Sequence, residues 1–278
     1  MPWYKRIQNV DRRIIYILMF LAIAIPLINP IGMPISISQP TQDAYNTLAG
    51  LPAGSNVLFS FDTSASSQAE AKPASIAIFR LCMEKGLKVF IYGTWADGPT
   101  LAGQWLDPVA TELGKKYGVD YINIGYRPSY SAVLESARTD FVKAMGGIDM
   151  LKKPLSDYPI MKGVTKASNF TCVVSFNSGD PGLADYISQW YATGEVKLLI
   201  GSVTAVEIPT RMNQYRAGLI KGMIGGLAGG AEFEKLIGKP GDATVGMDAQ
   251  SLGHLVVILF LVVGNVGYLA AKKAGDAK

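Results

Sequence analysis

The sequence predicts an α/β protein, a doubly wound and mostly parallel five-stranded sheet flanked by a transmembrane helix at each end. Three observations carry that expectation. Short β-branched and aromatic runs alternate with helix-period stretches between residues 56 and 238, the signature of βαβ units. Uncharged apolar runs stand near both ends, each with Lys or Arg on its outer side. Charged residues make up only 17% of the chain and hydrophobic ones 49%, a charge deficit that those two runs account for.

Residues 1–13 carry Lys5, Arg6, Arg12 and Arg13 against Asp11, and read as a basic cytoplasmic end. Residues 14–31 follow as an apolar run that would cover roughly 27 Å as a helix, close to the thickness of a hydrocarbon core. Pro26, Asn29 and Pro30 lie at its far end, where a helix can stop. Residues 32–55, rich in Pro, Gly, Ser and Gln, read as an extended linker. At the other end, residues 239–251 form a second linker, residues 252–271 a second apolar span and residues 272–278 a basic tail with Lys272, Lys273 and Lys278. Both basic flanks fall on one side. The expectation is a cell-membrane protein with two passes, both termini cytoplasmic and the globular domain outside.

Within the domain, strands are expected at 56–61, 88–92, 121–124, 170–176 and 196–200. Helices follow at 69–85, 101–117, 129–144 and 182–191, and a last long one runs over 209–236. Gly86 and Gly118 stand where a helix would close in a left-handed residue. Residues 146–168 lose the periodicity and read as a surface excursion. Strand order 3-2-1-4-5, a flavodoxin/Rossmann-like arrangement, is the expected topology.

Ligands of such sheets bind beyond the carboxyl ends of the strands, at the point where strand order reverses. The loops falling there are 62–64, 93–97, 125–127, 177–180 and 201–204, and the candidate ligand contacts among them are Asp62, Thr63 and Ser64 after the first strand, Asp97 after the second, and Asn177, Ser178 and Asp180 after the fourth. They form a candidate polar site with Asp62 and Asp180 flanking a crevice. The same residue types also serve as ordinary turn and N-cap residues in any α/β protein. Neither G-x-G-x-x-G nor G-x-x-x-x-G-K-[ST] follows the first strand, so no nucleotide cofactor is expected.

The single histidine, His254, belongs to the second apolar segment, which leaves the domain without one. That excludes Ser-His-Asp and Cys-His catalysis and histidine-ligated zinc within the domain, and no metal or other cofactor is expected. The net charge of +4 is modest and partly terminal, so nucleic acid is not expected as a partner. Cys82 and Cys172 lie on apolar faces and read as buried thiols, with a disulfide as the alternative.

Gly218, Gly222, Gly225, Gly226 and Gly229 would line one face of the 209–236 helix. Each glycine costs a helix roughly 0.8–1 kcal/mol relative to alanine, so close packing must offset the loss. The partner would be either the protein's own sheet or another subunit. The functional expectation is a non-catalytic, membrane-anchored scaffold or assembly subunit. Its partners would be lipid and either copies of itself or other membrane proteins. The alternative is a carboxylate-dependent enzyme or small-polar-ligand receptor at the Asp62 crevice.

Overall fold

A computed structural model of the protein describes residues 2–8 and 10–275; Met1 and Lys278, expected in the cytoplasm, fall outside them. The chain divides into two compact units, Ile35–Ala243 and the pair of segments Met1–Pro34 and Thr244–Lys278.

The larger unit is an α/β fold around a six-stranded, all-parallel sheet. Its strands are β1 (Asn56–Asp62), β2 (Lys88–Gly93), β3 (Tyr121–Tyr126), β4 (Cys172–Asn177), β5 (Leu198–Val203) and β6 (Gly222–Gly225), in the order β3-β2-β1-β4-β5-β6. The first five stand in the expected order, and the sixth was not foreseen. The smaller unit contains α1 (Trp3–Gln8) and α2 (Arg12–Ile28), and the domain begins with α3 (Gln39–Ala49).

An all-parallel sheet buries both faces. On one face Val57, Phe59, Phe61, Val174 and Phe176 meet α4 (Gln68–Glu84) and α5 (Gly98–Glu112). Phe61 stacks on Phe176 across the β1/β4 seam at 4.3 Å between ring centroids. Arg80 of α4 clamps Glu112 of α5 through two hydrogen bonds of 2.9 and 2.6 Å. On the other face Leu58, Phe90, Ile122 and Val173 meet α6 (Tyr130–Ala137), α7 (Phe141–Ala144) and α8 (Leu183–Tyr186). The single helix expected at 129–144 is therefore two, interrupted where Asp140 caps α7 by accepting from the Lys143 amide.

Residues 146–168 run over the surface as expected, but apolar side chains anchor them to the sheet. Leu155, Ile160, Met161, Val164 and Ala167 are buried in the second face, while the lysines between them stay exposed. The segment has little regular structure, so side chains hold it. Arg127 donates to the carbonyls of Met145 and Ile148 at 2.7 and 2.6 Å. Buried Asp149 accepts from the Tyr158 hydroxyl and the Lys153 amide, at 2.6 and 2.8 Å. Asn169, which begins an Asn-x-Thr match, spends its carbonyl on the Thr165 and Lys166 amides.

The expected 209–236 helix does not exist as one element. It is α9 (Ile208–Arg216), then β6, then α10 (Gly226–Leu236). Gly218 ends α9 at φ 73°, and the Gly218 and Leu219 amides bond back to the carbonyls of Tyr215 and Gln214, a left-handed helix stop. Gly226, at φ 59°, turns β6 into α10. The glycines therefore form no stripe on a helix, and the interface expected of Gly218, Gly222, Gly225, Gly226 and Gly229 loses its geometric basis. Four of them pack inside the domain, where added Cβ atoms at Gly222, Gly225, Gly226 and Gly229 would meet Ala44, Ile208, Ala205 and Ile224.

Gly222 explains why the 32–55 linker is not extended throughout. Thr41, Ala44 and Leu48 bury one face of α3, Ser38 and Pro40 stand at its start and Gly50 caps its end. A Cβ at Gly222 would lie 2.3 Å from the Ala44 amide nitrogen, so α3 rests directly on β6. At the end of the domain buried Glu234 accepts from the Gly241 and Ala243 amides, where α11 (Asp242–Lys273) begins. The expected 239–251 linker is thus largely helical.

In the smaller unit α2 and α11 pair. Gly253 lies against Met19 and Ile23, while the Asp248 carboxylate accepts from the amides of Ile31, Gly32 and Met33 at 2.8–2.9 Å. Later residues of α2 meet earlier residues of α11, so the helices are antiparallel. Among the described residues one helix, α11, is long and apolar enough to cross a membrane. The N-terminal span expected over 14–31 is shorter than drawn. Its helix holds 17 residues and stops at Ile28, where Asn29 leaves helical geometry.

Replacing Gly222 with alanine should lower stability by about 1–3 kcal/mol, the usual cost of overpacking, because the obstacle is backbone. Thermal unfolding of the full chain in mild detergent measures this. Wild-type stability in that variant would refute the α3–β6 contact.

Candidate functional site

In this strand order the reversal lies between β1 and β4, so the candidate site is the carboxyl end of that seam. Asp62 and Asn177 are register partners across it. The Ser178 amide donates to the Asp62 carbonyl at 3.1 Å, and the Thr63 and Ser178 hydroxyls pair at 2.7 Å. Trp95, from the loop after β2, lies against Gly179 and donates its indole N–H to the Pro181 carbonyl at 3.2 Å. Asp62, Thr63, Asn177 and Ser178 thus do come together. Ser64 instead bonds Ser66 within its own turn, and Asp97 is exposed at the start of α5 without a side-chain cap.

Side-chain alternation along β1 decides what Asp62 can do. Val57, Phe59 and Phe61 face α4 and α5, whereas Leu58 packs in the opposite core, so Ser60 and Asp62 point to that second face. There Asp62 is 1% exposed and fully engaged. Ser60 donates to Oδ2 at 2.5 Å, and Thr94 donates to Oδ1 from its amide at 2.9 Å and its hydroxyl at 2.6 Å. The Tyr186 hydroxyl donates to Ser60 at 2.9 Å and also pairs with Tyr92. Burial pushes the Asp62 carboxyl up to about 6; the Ser60 and Thr94 hydrogen bonds restrain the rise and nearby Asp185 adds to it. Burial likewise raises the Tyr92 and Tyr186 hydroxyls.

Asp180 points elsewhere. Its side chain is 77% exposed and pairs with Arg211 of α9, whose guanidinium lies 3.2 Å from Asp180 and 2.7 Å from Glu207. Asn177 links the two groups by donating to Glu207 at 3.4 Å. The two expected site carboxylates share no hydrogen-bond partner among the described residues. One belongs to the core and the other to a surface ion pair.

Thr94, Tyr186, Glu207 and Arg211 complete this end of the sheet; Thr94 lies in the loop expected after the second strand, whereas Tyr186, Glu207 and Arg211 were absent from the residues chosen by sequence. Glu207 and Arg211 stand four apart, the spacing of an ion pair on one helical turn, a signal that a helix start at 209 concealed. Arg211 is 4% exposed, and its Nε, together with Asn177 Oδ1 and Thr204 Oγ1, is buried without a hydrogen-bond partner among the described residues.

Cys82 and Cys172 are free and buried, and burial pushes both thiols up, so neither supplies a thiolate at neutral pH. Among the described residues no cluster of three His, Cys, Asp or Glu side chains could hold a metal ion. A cleft of about 240 Å3 between α4 and the turn before α11 contains Arg80, Glu112 and Asp242, and these charges are already paired, Asp242 with Lys72. No protein-family model, curated protein or solved structure matches the chain.

Asp62 titrates higher in the folded protein than its ordinary value of 3.8, so its contribution to stability is fully present below pH 4 and is lost as pH rises through about 6. The span corresponds to about 3 kcal/mol. Asp62→Asn keeps an acceptor for Thr94 and removes the titration, so its unfolding midpoint should be flatter than wild type between pH 4 and 6.5. Equal slopes for the two proteins would assign the titration to another group.

Proposed function

We propose that this chain is a membrane-anchored subunit that holds its α/β domain outside the cytoplasm and acts by association rather than catalysis. The observation that carries the reading is the antiparallel pairing of α2 and α11. It points the Arg12–Arg13 end of α2 the same way as the Lys272–Lys273 end of α11, which extends further, and basic ends on one side are what the positive-inside rule assigns to two helices crossing a bilayer as a hairpin. Ile17, Phe20 and Ile28 of α2 and Leu255, Ile258 and Leu261 of α11 expose apolar surface that water would not tolerate at this density. A 17-residue helix is at the short end of spanning lengths, and its flanking Arg side chains can extend to the interface.

The non-catalytic part of the reading rests on the sealing of Asp62. A general acid or base must reach a substrate proton within hydrogen-bond distance, and this carboxyl is turned into the core with its oxygens engaged. A second reading, a receptor for a small polar ligand, is favoured by one observation. Among the described residues Asn177 Oδ1 and Thr204 Oγ1, at the carboxyl ends of β4 and β5, and Arg211 Nε of α9 have no hydrogen-bond partner. Buried polar atoms of this kind are costly unless something satisfies them.

Single cysteines test the topology, since Cys82 and Cys172 are buried. In intact cells an impermeant maleimide should label Lys162→Cys, on the domain surface, and should label Arg13→Cys and Lys273→Cys only after permeabilisation. The reverse pattern would place the domain in the cytoplasm. Labelling of Arg13→Cys from outside with Lys273→Cys protected would leave α11 as the only span.

A further inference from the structure

We infer that the carboxyl end of the sheet is a lipid-docking face, on which Val206 and the 149–153 turn bring apolar side chains into the headgroup layer of the bilayer that anchors the chain. The inference rests on the membrane-anchored reading and gives that bilayer a second contact, with the domain itself.

Among the described residues five large apolar side chains of the domain are exposed, and four of them, Tyr126, Met150, Leu151 and Val206, belong to this end. Val119 is the exception. Val206, 82% exposed, stands in the turn after β5, and Tyr126 is the last residue of β3. Met150 and Leu151 lie beside the later residues of β3, where the Met150 amide donates to the Asn123 carbonyl and a Cβ on Gly125 would meet Met150. Strands β3 and β5 are four sheet spacings apart, so the two contact points are separated by about 19 Å. Exposed apolar groups ringed by polar ones mark surfaces that meet lipid or protein.

The 149–153 turn is built to hold its shape. Buried Asp149 accepts from the Tyr117 and Tyr158 hydroxyls and from the Lys153 amide, at 2.9, 2.6 and 2.8 Å. Lys152 stands at φ 64°, a left-handed backbone that a lysine seldom adopts. Leu151, 60% exposed, is therefore displayed on an ordered backbone.

The path of the chain selects lipid as the occupant. Glu234 accepts from the Gly241 and Ala243 amides, and a Cβ on Gly230, one turn nearer the start of α10, would meet Ala243. Asp242 pairs with Lys72 in the second turn of α4. Both α4 and α10 begin at the carboxyl ends of the strands before them, so the chain leaves the domain toward the end that carries the exposed apolar groups. Ten residues of α11 separate Asp242 from the apolar run at Leu252, about 15 Å of helix rise at any tilt. A bilayer held within that reach is present at high effective concentration, so a few apolar side chains suffice for contact. Charge on this end is mixed, with Lys152 and Lys153 beside the apolar tip and Asp97 exposed beyond β2, so neutral lipid should serve.

The test uses the full chain in phosphatidylcholine vesicles with brominated acyl chains, carrying one fluorescent label at a time on Leu151→Cys, Val206→Cys, Lys162→Cys or Ile258→Cys; Cys82 and Cys172 are buried. Lys162 is the control on the domain, exposed near the start of β3, where the Ile160 amide donates to the Gly118 carbonyl. Ile258 is the control in the apolar run of α11. Bromine should quench the labels at 151 and 206 about twofold and spare 162, because interfacial contact carries a side chain about 5–10 Å into the boundary of headgroups and acyl chains. Quenching at 258 with either 151 or 206 unquenched would overturn the docking face and leave the anchoring standing. No quenching at 258 would overturn both. Equal quenching at 162 would refute the assignment to this end of the sheet. Quenching at 151 and 206 that disappears when the protein is diluted in lipid would replace lipid by a second copy and overturn the inference, as would quenching that requires native membrane proteins.

Discussion

Parallel pairing of all six strands is the constraint on which the domain depends. A parallel sheet must be covered on both faces, and each crossover supplies one covering element. The first face receives α4 and α5, long helices that the aromatic seam of Phe59, Phe61 and Phe176 can pack against. The second face receives only short helices. The segment 146–168 fills the remainder with Leu155, Ile160 and Val164, and its irregular backbone is held by Arg127 and Asp149. The sixth strand creates the same need at the far edge. It is met by α3, drawn from upstream and seated on Gly222.

The seam also explains why the candidate site closed on itself. A central strand that points Ser60 and Asp62 into the second face must find partners for both, or bear the cost of polar groups buried without hydrogen bonds. Tyr92, Tyr186 and Thr94 supply them. The result is a polar chain that joins β1 to β2 and α8, with Asp62 held where its charge is disfavoured. The position that binds ligands in many doubly wound sheets is here spent on cohesion. The unsatisfied atoms shift to β4, β5 and α9, around Arg211.

Strands β1 to β5, their order and the helices α4 and α5 were legible because β-branched runs, helix periods and closing glycines agreed with one another. The failures have specific physical causes. Thr41, Ala44 and Leu48 do carry a helical period, but the Pro, Gly and Ser around them read as linker. Residues 218–229 admit two readings because glycine has no preference that separates a helix face from a strand with its flanking turns. The left-handed stop at Gly218 decided between them. At the site, sequence placed Asp62 correctly at the seam. It could not show which way the side chain faced until the parity of β1 was fixed by Phe59 and Phe61 packing on α4 and α5.

Two buried carboxylates show how the chain satisfies polar groups it withdraws from water. Asp62 accepts three, from Ser60 and from both donors of Thr94. Asp248 also accepts three, from successive amides after α2, and so ties the two helices of the smaller unit together. Both carboxylates are enclosed by the fold, which brings donors to them. Asn265 differs in place, since it lies on an exposed side of α11, where its one described hydrogen bond returns to the Leu261 carbonyl one turn back.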